Sequence, residues 1–240
     1  ERVVRSDYRE RGLPAAAKRA AEHFETIPSV TAFSPTKVAK GATGVSVTIT
    51  GTKFLSGATV SSSNTGVSFA SITLKSSTSI TAKMSVKSTA STGAVNVTVG
   101  DPGQGSGTKT AAFTIDALPA PKTLSPNSLK QGASSSVVKL TGTGFQTGAK
   151  VTFSGTGVTA SVTSESGGTT LELKVTVTKT ASATKYNVTV TNPDGGKGTC
   201  TGCFSVTKAA VVIKSGTHAS LAHVVLGHLV SNRAHRSLSA

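Results

Sequence analysis

Ten residues of this chain occur twice, and the interval between the copies constrains what the whole can fold into. Gly51-Thr52-Lys53-Phe54-Leu55-Ser56-Gly57-Ala58-Thr59-Val60 returns 91 positions later as Gly142-Thr143-Gly144-Phe145-Gln146-Thr147-Gly148-Ala149-Lys150-Val151. The same offset holds without a gap on both sides. Ser34-Pro35 becomes Ser125-Pro126, Gly41 becomes Gly132, Asn96-Val97-Thr98-Val99 becomes Asn187-Val188-Thr189-Val190, and Phe113 becomes Phe204. Shared composition alone does not keep register over such a distance. One unit of about 90 residues is used twice, each copy long enough to enclose a modest core.

Within the units the apolar residues alternate with polar ones. Val45, Val47 and Ile49 are separated by Ser46 and Thr48; Ile80, Ala82, Met84 and Val86 repeat the pattern; so do Val95, Val97 and Val99. Period-two alternation marks strands with one buried face, and clusters of Gly, Ser, Asn and Asp mark the turns between them. No helical period interrupts the runs. The expected organisation is an N-terminal basic, Ala-rich helical arm (1–27), an all-β module (28–116), a second all-β module (117–208) and an apolar, His-containing tail (209–240). In the arm, Pro14 opens an Ala-rich run that reads as a helix start. In the tail, Leu221, Val224, Val225, Leu226, Leu229 and Val230 fall near helical spacing, with His218, His223, His228 and His235 among them. Between the modules only Ala117 and Leu118 precede Pro119-Ala120-Pro121, so the joint is expected to be semi-rigid.

The repeated stretch reads physically as a strand end, a tight turn and a plug. Gly51 and Gly142 are expected to supply a backbone with positive φ. Phe54 and Phe145 are expected to fold back over the end of an aromatic-poor core. Gly57 and Gly148 are expected to bring the chain closely into the next strand. A dinucleotide-binding loop is excluded at Gly142-Thr143-Gly144, because the third glycine comes one position late and strands flank both sides.

Both modules are poor in catalytic groups. No His lies between His23 and His218, so neither module can pair Ser or Cys with an imidazole of its own. The carboxylates there are Asp101, Asp116, Glu165, Glu172 and Asp194, scattered in sequence and mostly at turns or ends. No catalytic residue, metal site or cofactor is expected. The formal charge of +15 is thin and, between Arg19 and Arg233, made entirely of Lys. Diffuse Lys suits screened attraction to an anionic polysaccharide or cell-wall polymer. It lacks the planar fork with which Arg reads a base edge, so sequence-specific nucleic-acid binding is not expected. No apolar run is long enough to span a bilayer.

Two further features are local. Cys200 and Cys203 occur in the second module only, where the first has Lys109 and Ala112. A zinc site would need two more ligands, the nearest candidate being His218. A local disulfide needs nothing further and implies an oxidising location. Asn96-Val97-Thr98 and Asn187-Val188-Thr189 fit the glycosylation sequon, a triplet that Thr-rich strands also produce by chance.

Ser-Pro, a Gly about six residues on, an alternating strand and Gly-Thr-x-Phe-x-x-Gly-Ala-x-Val together resemble the IPT/TIG group of immunoglobulin-like domains. The resemblance spans both modules and leaves the two ends outside it. Asn192-Pro193-Asp194-Gly195-Gly196 resembles the late hairpin of that group; Asp101-Pro102-Gly103-Gln104-Gly105 departs from it but still reads as a turn. The resemblance implies two tandem Greek-key β-sandwiches with short helical or irregular extensions at both ends. It is compatible with a non-catalytic structural or adhesion protein displayed extracellularly, the modules serving as spacer and binding surface. An alternative is a virion protein that displays the modules on a phage capsid or tail and docks through its termini. DNA contact, and an accessory role beside a polysaccharide-degrading enzyme, are the remaining readings. Protein partners are expected at the ends of the chain.

Intact mass without reductant is expected to fall two hydrogens below the reduced value, locating a disulfide at Cys200 and Cys203. Two free thiols in freshly purified native protein would exclude it.

Overall fold

The computed structural model describes residues 27–210 and is all-β over that span. The helical arm and the His-containing tail expected from the sequence lie outside the described residues, apart from their innermost few positions. The first module contains β1 (Ser29–Ser34), β2 (Lys37–Ala39), β3 (Val45–Thr52), β4 (Thr59–Ser62), β5 (Val67–Ser76), β6 (Ser79–Val86), β7 (Gly93–Asp101) and β8 (Gly105–Asp116). The second contains β9 (Ala120–Ser125), β10 (Ser128–Lys130), β11 (Ser136–Thr143), β12 (Lys150–Phe153), β13 (Val158–Ser166), β14 (Thr170–Val177), β15 (Lys185–Thr191) and β16 (Lys197–Thr207).

Strand order repeats as the sequence does. In the first module β1-β3-β6-β5 form one sheet and β2-β8-β7-β4 the other. In the second, β9-β11-β14-β13 and β10-β16-β15-β12 reproduce them. Non-consecutive neighbours in both sheets make the arrangement a Greek key. The Ser34-Pro35 and Ser125-Pro126 peptides are both cis and lie where the chain leaves the first sheet. It then enters the second sheet through a short parallel pairing, β2 with β8 and β10 with β16.

Alternation accounts for the two cores. Val47, Ile49, Ile80, Met84, Val95, Val97, Val99, Phe113 and Ile115 meet between the sheets of the first module. Val138, Leu140, Leu171, Leu173, Val175, Val188, Val190, Phe204 and Val206 do so in the second. The aromatic packing differs. Phe33 stacks on Phe113 at 5.0 Å between ring centres and meets Phe69 edge-on at 6.4 Å. Leu124 replaces Phe33 in the second module, and Phe153 packs edge-on against Phe204 at 4.9 Å instead. Tyr186 also enters that core and donates its hydroxyl to the Ser182 carbonyl at 3.0 Å, which satisfies the one polar atom it buries.

The repeated stretch is where the chain passes from β3 to β4, and from β11 to β12, crossing between the sheets. Phe54 is 1% exposed, and Phe145 is also buried. Gly51 and Gly142 are not in a positive-φ conformation, contrary to expectation. Space is the reason for glycine there. A Cβ on Gly51 would strike the Phe54 ring and the Ser29 carbonyl; on Gly142 it would strike the Phe145 ring and the Ala120 carbonyl. The positive φ falls two residues later, at Lys53 (60°) and Gly144 (70°), and again at Gly57 and Gly148 (86° each).

Lys53 is therefore an L residue in a left-handed conformation that its counterpart meets with glycine. The same holds for Ala111 (φ 47°) against Gly202 (φ 62°). Lys53→Gly and Ala111→Gly are each expected to stabilise the chain by about 0.5–1 kcal/mol in urea unfolding, less than the full left-handed penalty because glycine also frees the unfolded chain. Gly142→Ala is expected to cost several kcal/mol, on the order of a large core truncation, because backbone and buried ring must both move.

Candidate functional site

Three polar arrangements stand out among the described residues: the turn carrying the repeated motif, the bulge in the last strand, and the junction between modules. At the first, Gly51 and Phe54 donate their amides to the Thr78 and Ser77 carbonyls at 3.0 and 2.9 Å. Gly142 and Phe145 do the same to Thr169 and Gly168, at 2.9 and 3.0 Å. Beneath each turn lies one buried polar side chain. Asp101, 6% exposed, accepts from the Leu55 amide at 3.3 Å through Oδ1 and leaves Oδ2 unpaired. Its counterpart Asn192, 2% exposed, donates Nδ2 to the Gly144 carbonyl at 2.7 Å. Asn192 Oδ1 is left unpaired as Asp101 Oδ2 is, so the copies differ in charge and in the direction of the one bond each makes: the amide donates where the carboxylate can only accept. Gly51, Phe54, Gly57, Gly142, Phe145 and Gly148 are thus held in the fold's own corner. None of these six side-chain positions presents a reactive group.

At the bulge, the pairing of β7 with β8 shifts register between Val95 and Val97, and that of β15 with β16 between Tyr186 and Val188. Asn96 Oδ1 accepts the Ala111 amide at 2.9 Å, and Asn187 Oδ1 accepts the Gly202 amide at 2.8 Å. Ser63 and Ser154 hydroxyls in turn accept the amides of Asn96 and Asn187 at 3.0 and 2.9 Å. The two sequon asparagines therefore clamp an irregular strand, a task that explains their recurrence without a glycan. Cys200 and Cys203 flank this bulge in the second module and are joined as a disulfide, with Cα atoms 5.8 Å apart. It closes over Thr201 and Gly202, the segment the Asn187 side chain also holds. Among the described residues no group of three His, Cys, Asp or Glu side chains is gathered as a metal site.

The junction is what sequence spacing concealed. Gln146 Nε2 donates to Asp116 Oδ2 at 3.0 Å and to Asp194 Oδ2 at 2.7 Å. Asp116 ends the last strand of the first module, while Gln146 and Asp194 come from two loops of the second. Asp194 is also held by the Gly196 amide at 2.9 Å, and Gly196 itself lies against Ala39 and Leu118. Glu165 braces the loop that carries Gln146, accepting the Thr147 hydroxyl at 3.0 Å, and also accepts the amide of Gly168 in the β13–β14 turn at 2.6 Å. The signal for this contact was a difference between the copies: Gln146 stands where the first module has Leu55, which is 43% exposed.

Electrostatics at the junction are balanced against ionisation. Burial raises the Asp116 pKa above its ordinary value; the Lys37 ammonium opposes this, Asp194 adds to it, and the Gln146 hydrogen bond opposes it. A carboxylate whose folded pKa exceeds its unfolded one stabilises the fold most when protonated, and that contribution is lost as pH rises through the folded value.

Residues 28–115 match the IPT/TIG domain. The first module is of IPT/TIG type. The second module repeats the matched one in sequence and strand order. The chain is similar to the plexin A4 extracellular region, with 15% identity over 75% of this chain and 18% of that one, at a TM-score of 0.42. It is also similar to FdeC, an adhesin of Escherichia coli, with 19% identity over 75% of this chain and 64% of that one, at a TM-score of 0.34. A third similarity is to the Yersinia pseudotuberculosis adhesin InvE, with 14% identity over 79% of this chain and 65% of that one, at a TM-score of 0.29. The chain therefore spans less than a fifth of plexin A4 and just under two thirds of each of the two adhesins. No curated protein matches it by sequence.

Replacing Asp116 with Asn is expected to raise stability at neutral pH and to leave it nearly unchanged at pH values below the ordinary carboxylate range. Urea midpoints of the native chain and the variant across that range check the sign; a native chain that gains relative stability toward neutral pH would reverse it.

Proposed function

We propose that this chain is a non-catalytic structural or adhesion protein displayed outside a bacterial cell, its IPT/TIG-type modules acting as spacer and contact surface. The observation that carries the reading is the built junction: Asp116, Gln146, Asp194 and Gly196 tie one sandwich to the next across a linker of a few residues. A chain whose modules are fastened end to end holds a contact surface at a fixed reach, which suits display. Closed sandwiches without an internal His, and with their carboxylates spent on hydrogen bonds within the fold, offer little for catalysis. The Cys200–Cys203 disulfide favours an oxidising compartment. Partners are proteins of a larger surface assembly, met through the ends of the chain, together with anionic polymers of a cell wall.

A virion role is the second reading, and it rests on the two ends, which the repeat does not include. Antibody labelling of intact source cells separates the two. Label on unpermeabilised cells is expected; label only after permeabilisation overturns surface display. Label that travels with purified phage particles instead of cells selects the virion. Removal of residues 1–27 and 209–240 is expected to abolish incorporation into either assembly while leaving the modules folded, as read by pull-down from the labelled fraction and by circular dichroism.

A further inference from the structure

The two modules share a fold but not a charge distribution, and the difference is concentrated on one sheet. Strands β10, β12, β15 and β16 carry four lysines, Lys130, Lys150, Lys185 and Lys197, and no Asp or Glu. The matching strands of the first module carry Lys37 and Lys109 with Asp101 and Asp116. At the four lysine positions the first module has Ala39, Thr59, Ala94 and Ser106. These lysines are gains of the second copy, not inheritances of the repeat.

All four lysines are exposed, and strand alternation turns Leu129, Val151 and Tyr186, the neighbours of Lys130, Lys150 and Lys185, into the core. Register then places the charges. Lys150 lies opposite Thr191, and Thr191 lies opposite Lys197, so two ammoniums flank a hydroxyl on a line across three strands. Their Cα atoms are about 10 Å apart at ordinary strand spacing. The next line is Thr152, Thr189 and Thr199, with the last two hydroxyls 2.8 Å apart. Lys185 stands at the far end of β15, about 20 Å along the strand from Thr191. Asp194, in the turn after β15, is already engaged by Gln146 and the Gly196 amide.

We infer that this outer face of the second module binds an acidic polysaccharide, laid along β15 from the Lys150–Lys197 pair to Lys185. The inference rests on the surface-display reading and names the polymer class that the surface meets. Ammoniums at the two ends take acidic groups of the polymer, and the threonine hydroxyls between them take its sugar hydroxyls. A nucleic acid fits less well. The face has no Arg to grip phosphate in a fork and no outward aromatic ring on which a base could stack.

The test uses the full chain and immobilised polygalacturonate, with neutral dextran and duplex DNA as comparisons. The variant K150T/K185A/K197S gives the second module the residues the first already carries at those places, so its folding is protected. A second variant removes three exposed lysines elsewhere, K75S/K87S/K179S, for the same change in net charge. Native chain is expected to bind polygalacturonate but not dextran, and to weaken as salt rises from about 50 to 200 mM. The first variant is expected to lose roughly tenfold or more in affinity and the second less than about threefold, because attraction depends on where the charges sit. Equal losses from both variants, no binding by native chain at low salt, or tighter binding to duplex DNA each overturn the inference. Cell labelling reports on display independently: surface protein that ignores polygalacturonate refutes only the ligand, and protein confined inside cells refutes the display.

Discussion

Each sandwich depends on a phenylalanine ring lying over a glycine that cannot be anything else. Phe54 fills the place where Gly51 would carry a side chain, and Phe145 does the same at Gly142. The backbone of the first strand, at Ser29 and Ala120, closes the opposite side of that space. The start of the module is thereby fixed to a segment about twenty residues on, where the third strand ends and the corner leads to the fourth. Two sheets become a closed core because this corner holds the crossing between them. Burial of a phenylalanine supplies a large share of the stabilisation available to so small and aromatic-poor a unit.

Around that shared corner, the copies have diverged in ways that follow physical rules. The first module keeps a buried carboxylate at Asp101 and strained residues at Lys53 and Ala111. The second has an amide at Asn192 and glycines at 144 and 202. Gly144 also answers a second demand, since a Cβ there would crowd the Leu118 carbonyl in the linker. Aromatic volume has moved from Phe33 and Phe69 to Phe153 and Tyr186 while the strand frame stayed in place. Core volume and alternation, not the identity of any one side chain, define the sandwich.

The fold was legible because period-two alternation and a gap-free repeat are local properties of the chain. Phe54 and Phe145 could be read as end plugs from their place between a strand and a Gly-Ala turn. The reason for Gly51 and Gly142 was misread as backbone conformation, because the ring that occupies their missing side chain is named only by the three-dimensional path. Asn96 and Asn187 were visible as a repeated triplet, but their work at the bulge depends on Ala111 and Gly202, fifteen residues on across a register shift. Asp116 and Asp194, 78 positions apart, gave no sign of sharing Gln146.

By itself, then, the sequence determined the number of modules, their strands, and the residues turned inward, since each follows from spacing along one chain. Only the tertiary structure decided what the polar residues do. A hydrogen bond such as that from Gln146 to two carboxylates depends on loops brought within 3 Å, and a charged face depends on which lysines fall on neighbouring strands. Those distances are set by strand order and register, which join positions that sequence order keeps far apart.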